Sequence, residues 1–170
     1  INSLGLFRSI VTDGSSLLAF SPPKSIDYES FKETMKKAEC IAEQFVEGTM
    51  INCFYYKDEW MIASRWDIGA QSSFYQDLNT TFRDMFIDAM NTCHLTFDML
   101  DKKYSYSFVL QHPKNRIVVP FTTPHLFLIA KYEMTQQWGA QEIACAETIK
   151  GSKVSLPARY EVDDSLDDFV

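Results

Sequence analysis

Phe45-Val46-Glu47-Gly48-Thr49-Met50-Ile51-Asn52-Cys53-Phe54-Tyr55-Tyr56 is the stretch on which the fold turns. Its β-branched and aromatic residues suit a pleated, half-buried surface, and a second run of the same kind, 60–64, follows Lys57-Asp58-Glu59. The pattern predicts a hairpin of strands 45–56 and 60–64, both mostly buried. Glu47-Gly48 stands near its head. A glycine there either lets the backbone approach a ligand closely or marks only a bulge, and the sequence leaves both open.

Toward the N-terminus, apolar runs at 7–11 and 17–20 flank Asp13-Gly14, a dipeptide that favours a tight turn and so a second hairpin. Ser21-Pro22-Pro23-Lys24-Ser25 ends it, because proline donates no ladder hydrogen bond, and Asp27 is placed to cap a helix over 28–38. That helix carries Lys32, Lys36 and Lys37 beside Glu29, Glu33 and Glu39. Toward the C-terminus, Phe74, Leu78, Phe82, Met85, Phe86 and Ala89 recur at helical spacing, which predicts an amphipathic helix over 74–90 with Asp77, Arg83, Asp84 and Asp88 facing water. A third β-rich block comprises 106–111, 116–121 and 126–132, punctuated by Pro113, Pro120 and Pro124. After Glu133 the pattern fades. The expected fold is α+β: a curved antiparallel sheet of hairpins with helices 28–38 and 74–90 packed outside.

A chain of 170 residues, 46% apolar and 14% aromatic, suits one buried core. A single domain over 1–160 is expected, followed by an acidic tail, 161–170. The net charge of −7 excludes the broad basic face that non-specific nucleic-acid binding requires. The charge is uneven, however. Glu161, Asp163, Asp164, Asp167 and Asp168 sit in the tail without a base, so the rest of the chain carries only about −2. The tail reads as a solvated end, with Leu166, Phe169 and Val170 as docking points in the alternative. No apolar run approaches the ~20 residues that span a bilayer, so no membrane span is expected. Cys40, Cys53, Cys93 and Cys145 lack CxxC or zinc-ligand spacing, which predicts buried free thiols and an intracellular, reducing compartment.

Three segments carry a family resemblance. Arg8-Ser9-Ile10-Val11-Thr12-Asp13-Gly14 with Phe20-Ser21-Pro22-Pro23-Lys24 is similar to the strand, turn and P-x-K segment that precede the nucleotide pocket of phage-type, ATP-dependent RNA ligases. Glu47-Gly48-Thr49-Met50-Ile51, with the return strand ending Ser64-Arg65-Trp66-Asp67-Ile68-Gly69, resembles the K-x-[DE]-G-[ST] strand of the same nucleotidyltransferases. Pro113-Lys114-Asn115-Arg116-Ile117-Val118-Val119 is similar to their P-x-N-R-I-V hairpin. The ordered set covers roughly 7–132 and looks most like ligase-like proteins of large DNA viruses. It implies an adenylation-domain fold, and, since later ligase strands have no match, an incomplete one.

In that family a lysine attacks the α-phosphorus of ATP and becomes lysyl-AMP while a divalent metal such as Mg screens the phosphates. The resemblance places the lysine at Phe45, which has no lone pair, and an acidic nucleotide contact at Val109. It leaves Glu47, Gly48, Arg65 and Arg116 as nucleotide- or anion-binding candidates and Lys24 as a substitute nucleophile. The plainer reading of Lys24 is a lysine with a packed stem and a solvated ammonium, and of the two arginines structural ion pairs. Lys150 and Lys153 do not match the family's Lys-x-Lys strand and read as loop.

His94, His112 and His125 have no nucleophile at triad spacing. Phe54, Tyr55, Tyr56, Trp60 and Trp66 suit either base stacking or hairpin core, the latter being the plainer reading. Two functions follow. One is a degenerate ligase-like domain serving as a binding or structural module with protein partners in a viral assembly, in a virion or viral factory. The other is an active RNA ligase using a displaced nucleophile with ATP and Mg.

Overall fold

A computed structural model describes residues 7–34, 40–74, 77–135, 138–145 and 147–160. The tail at 161–170 and the end of the predicted helix 28–38 lie outside these residues. Strands dominate. Ile10–Thr12 (β1) and Leu17–Phe20 (β2) pair antiparallel, followed by helix Tyr28–Thr34 (α1) and strand Ala42–Glu43 (β3). Thr49–Tyr56 (β4) and Glu59–Ala63 (β5) form the expected hairpin. Then come Ser73–Phe74 (β6), Asp77–Thr81 (β7), helix Phe82–Thr92 (α2), Tyr104–Gln111 (β8), His125–Met134 (β9), Ala140–Ile143 (β10) and Arg159–Tyr160 (β11).

The central sheet has five antiparallel strands in the order β10-β9-β8-β4-β5. The protein is thus α+β, and helix α2 contacts β8 and β9. Lys57 and Asp58 both have positive φ, 48° and 64°, so the β4–β5 connection is a two-residue turn of the kind whose twist matches its strands. Between β8 and β9 the register jumps from Ser107↔Ala130 to Phe108↔Leu128, leaving Ile129 as an extra residue. Side chains alternate along β8. Tyr106, Phe108 and Leu110 join Ile51 and Cys53 in the core that Met85, Phe86, Ala89 and Met90 of α2 complete. Ser105, Ser107 and Val109 point to the other face, where β2 lies against β4, β8 and β9, and where Ala19 packs with Phe54 and Ala63.

Three expectations from the sequence fail. The predicted helix 74–90 begins eight residues late, at Phe82. Thr81 caps it: its hydroxyl accepts the Asp84 N–H at 3.1 Å while the Asp84 carboxylate accepts the Thr81 N–H at 2.9 Å. Phe82 and Arg83 donate their N–H groups to Ser72 and Ala70 carbonyls, which fixes the helix start on the preceding loop. Leu78, assigned to the apolar face, is 77% exposed on β7. The predicted strand 116–121 is irregular backbone, because Pro113, Pro120 and Pro124 leave too short a run for a ladder. The predicted strand 45–56 begins only at Thr49. Strands β3, β6, β10 and β11 had no signal beyond two to four residues each.

Candidate functional site

Gly48 enters β4 at φ +150°, and a Cβ placed on it would lie 2.5 Å from the Leu110 carbonyl oxygen and 2.6 Å from Val109 Cγ1. What approaches Gly48 closely is strand β8, not the ligand that the sequence left open. Thr49 pairs with Leu110 and Met50 with Val109, so the glycine opens the register in which β4 and β8 run together.

Glu47, one residue earlier, ties a third segment to this junction. Its Oε1 accepts the backbone N–H groups of Val118 and Val119, each at 2.8 Å, and its own carbonyl accepts the Gln111 amide at 3.0 Å. Two orphan donors of an irregular loop are thus met by one carboxylate oxygen, a charge-assisted arrangement. Nearby, Asn115 is fully buried. It donates its N–H to the His112 carbonyl at 2.9 Å and its side-chain amide to Thr49 Oγ1 at 2.8 Å, while its Oδ1 has no partner. His112 Nδ1 accepts the Lys114 N–H at 3.1 Å, so the ring proton sits on Nε2, which reaches Asp88 Oδ2 at 3.1 Å. Lys114 in turn donates to Thr80 Oγ1 at 2.9 Å. Residues 112–119 are therefore pinned to β4, β7 and α2 at once.

The structure brings Glu47, Gly48 and Val109 together. It does not bring the predicted cations into contact with them. Arg116 follows buried Asn115 but is exposed, and it sits in the loop rather than at a strand end. Arg65 places its guanidinium over the Trp66 ring at 4.6 Å, in a turn where Ser64 N–H bonds the Asp67 carbonyl and Asp67 Oδ2 accepts the N–H groups of Gln71 and Ser72. Lys24 is exposed beyond β2. Lys153 donates its backbone N–H to the Cys93 carbonyl, and Lys150 lies in the adjoining loop.

Phe45 is 96% exposed, which is costly for an apolar side chain of that size and unlike a core residue. Among the proposed stacking aromatics, Phe54 is buried and Trp60 packs on Phe97, Tyr55 and Tyr106, so the core reading is correct for both. Trp66 differs, at 84% exposed. Gln111, Asn115 and His112 were not singled out from the sequence as site residues. The P-x-N-R motif held Asn115 in view, but nothing local reveals that its amide reaches β4.

The ligase resemblance implies a nucleophilic lysine just before β4 and an acidic group opposite it on β8. Here the first position is phenylalanine, Glu47 Oε1 is engaged by backbone, and Val109 fills the space against Gly48. Phe45 offers no amine to hold a nucleotide covalently.

No protein-family model matches the chain. Among curated proteins, an RNA ligase of Rhodothermus phage RM378 is 26% identical over 140 residues, a match covering 74% of this chain and 31% of the ligase. The chain thus spans under a third of that relative's length. No helix among the described residues is long and apolar enough to cross a membrane. The relationship to known proteins is RNA ligase-like, and it runs through the segments that meet at Gly48 and Glu47.

Proposed function

We propose that this chain is a degenerate RNA-ligase-like nucleotidyltransferase domain that serves as a binding or structural module, with protein partners in a viral assembly. The observation that carries the reading is Phe45, an apolar and almost fully exposed side chain at the position where the resemblance calls for a nucleophilic lysine. Around it Gly48 admits β8 and Glu47 holds the loop at 118–119, which supports a structural use of this junction. A carboxylate oxygen used this way stabilises a fold. Arg65 and Arg116 are exposed, and their guanidinium forks suit an anionic partner. The phage origin of the similar ligase supports the viral setting.

A second reading keeps the chemistry. Strand β2 lies against β4 and β8, and exposed Lys24 follows it by four residues, which favours Lys24 as the displaced nucleophile of an active ligase using ATP and Mg. Thermal unfolding with added ATP and Mg²⁺ separates the two. A ligand held by the folded state alone stabilises it by about 2.7 kcal/mol at a hundred times its Kd, which raises Tm by several degrees. The module reading expects no shift from ATP with Mg²⁺ beyond that from Mg²⁺ and inorganic phosphate; a specific, saturable rise would support the ligase.

A further inference from the structure

Phe45 stands between two anchored neighbours. On one side the Gln44 N–H donates to the Ala158 carbonyl at 2.8 Å, and β3 pairs with β11 in the register Glu43↔Arg159 and Ala42↔Tyr160, closed by the ion pair of Arg159 Nε with Glu43 Oε1 at 2.8 Å. On the other side Glu47 Oε1 holds the Val118 and Val119 amides. The root of the C-terminal tail and the loop 116–119 therefore both meet the chain within three residues of Phe45. The side chains gathered there are apolar and open among the described residues: Phe45 is 96% exposed, Val118 71%, Ile41 65% and Ile117 51%. Large apolar side chains left open together mark a surface that something covers.

The sequence supplies an occupant. Residues 161–170 follow directly from Tyr160 and reach up to about 33–36 Å when extended. Phe45 lies three residues from Ala42, which Tyr160 faces, a path of at most about 11 Å. Because β11 is antiparallel to β3, it points toward Ile41, and the tail must double back to cover Phe45; Leu166 and Phe169, six and nine residues beyond Tyr160, have the length to do so. Leu166, Phe169 and Val170 stand among five carboxylates with no base, while the loop presents exposed Arg116 beside Ile117. An acidic and apolar segment thus matches an apolar surface with a cation at its rim. A short flexible tether keeps such a segment at an effective concentration of about millimolar, which favours it over a second copy or a separate protein. We infer that residues 161–170 fold back over this surface, with Leu166 and Phe169 against Phe45 and Val118 and the tail carboxylates toward Arg116. The inference does not depend on the ligase-like reading.

The test is amide NMR of the full chain with Leu166→Ser and Phe169→Ser introduced together. Amide shifts are expected at Phe45 and at 117–119, and none at Lys57 and Asp58, the turn beyond the far end of β4. They should be unchanged on about tenfold dilution, as a contact within one chain requires. Phe45→Ser, at an exposed position outside the core, should shift the amides of 166–170. In that background the tail substitutions should move 117–119 less than they do with Phe45 present, the signature of two groups in contact. No response at Phe45 and 117–119 to the tail substitutions, a response that grows with concentration and so belongs to a second copy, or strict additivity of the tail and Phe45→Ser changes would each overturn the inference.

Discussion

Gly48 and Val109 face each other across β4 and β8 so closely that a methyl group on the glycine would lie 2.6 Å from Val109 Cγ1, with the Leu110 carbonyl oxygen at 2.5 Å. The carbonyl belongs to backbone in the middle of a sheet and cannot step aside. Gly48→Ala should therefore destabilise by about 1–3 kcal/mol, from strain at φ +150° together with the forced separation of the strands. Urea unfolding measures it. A loss within the ordinary surface range of about 0.5 kcal/mol would mean that β4 and β8 are not held in this register.

The Glu47 carboxylate is expected to act locally. Glu47→Ala leaves the Val118 and Val119 N–H groups unpaired, and hydrogen bonds to charged groups contribute roughly 1.5–3 kcal/mol. Hydrogen exchange at those two amides should quicken more than at the β8 amides. Glu47→Gln, which keeps an acceptor oxygen, should lose less. Unchanged exchange at 118 and 119 in the alanine variant would remove Glu47 from the clasp.

The start of α2 gives an acid-sensitive contribution. The Asp84 carboxyl is held below its ordinary value of 3.8, first by the Thr81 hydroxyl and then by the Thr81 N–H. A depressed carboxyl favours folding fully above that ordinary value, and the contribution is lost as pH falls below it toward the lower folded value. Asp84→Asn should flatten the stability curve below about pH 4. Thr81→Ala should cost about 1 kcal/mol at neutral pH, read by denaturant unfolding.

The central hairpin was legible in sequence because 49–56 and 59–63 carry β-branched and aromatic residues in unbroken runs and a turn between them. So was the core stripe Phe82, Met85, Phe86 and Ala89 of α2. Its start was not, since Phe74 and Leu78 fall on the same period by coincidence, while the capping pair Thr81 and Asp84 marks the true boundary. Gly48 and Glu47 were visible as a motif, yet their partners are residues 109–119, more than sixty positions away, and no local pattern reports that contact. The run 116–121 reads as a strand because Ile117, Val118 and Val119 are β-branched, yet these side chains stand exposed in a loop bounded by Pro113 and Pro120.

His125 should limit stability on mild acidification. Burial lowers its pKa from the ordinary 6.5, with Cys93 Sγ 3.5 Å from Nδ1 and Ser155 Oγ 2.8 Å from Nε2. The unfolded chain then binds the proton more readily than the folded one, so the contribution is intact above 6.5 and declines as pH falls through that value. Tm should drop between about pH 8 and about pH 5, and His125→Gln should flatten that decline. An equally steep decline in the variant would assign it to other groups.

The proposed function entails a ligase-like domain that does not adenylate itself. Its most direct test is incubation of the full chain with α-labelled ATP and Mg²⁺ or Mn²⁺, followed by denaturing separation and intact-mass analysis. No covalent nucleotide on the protein is expected. A labelled adduct at the mass of one AMP, present in the wild type and absent in Lys24→Ala, would contradict it.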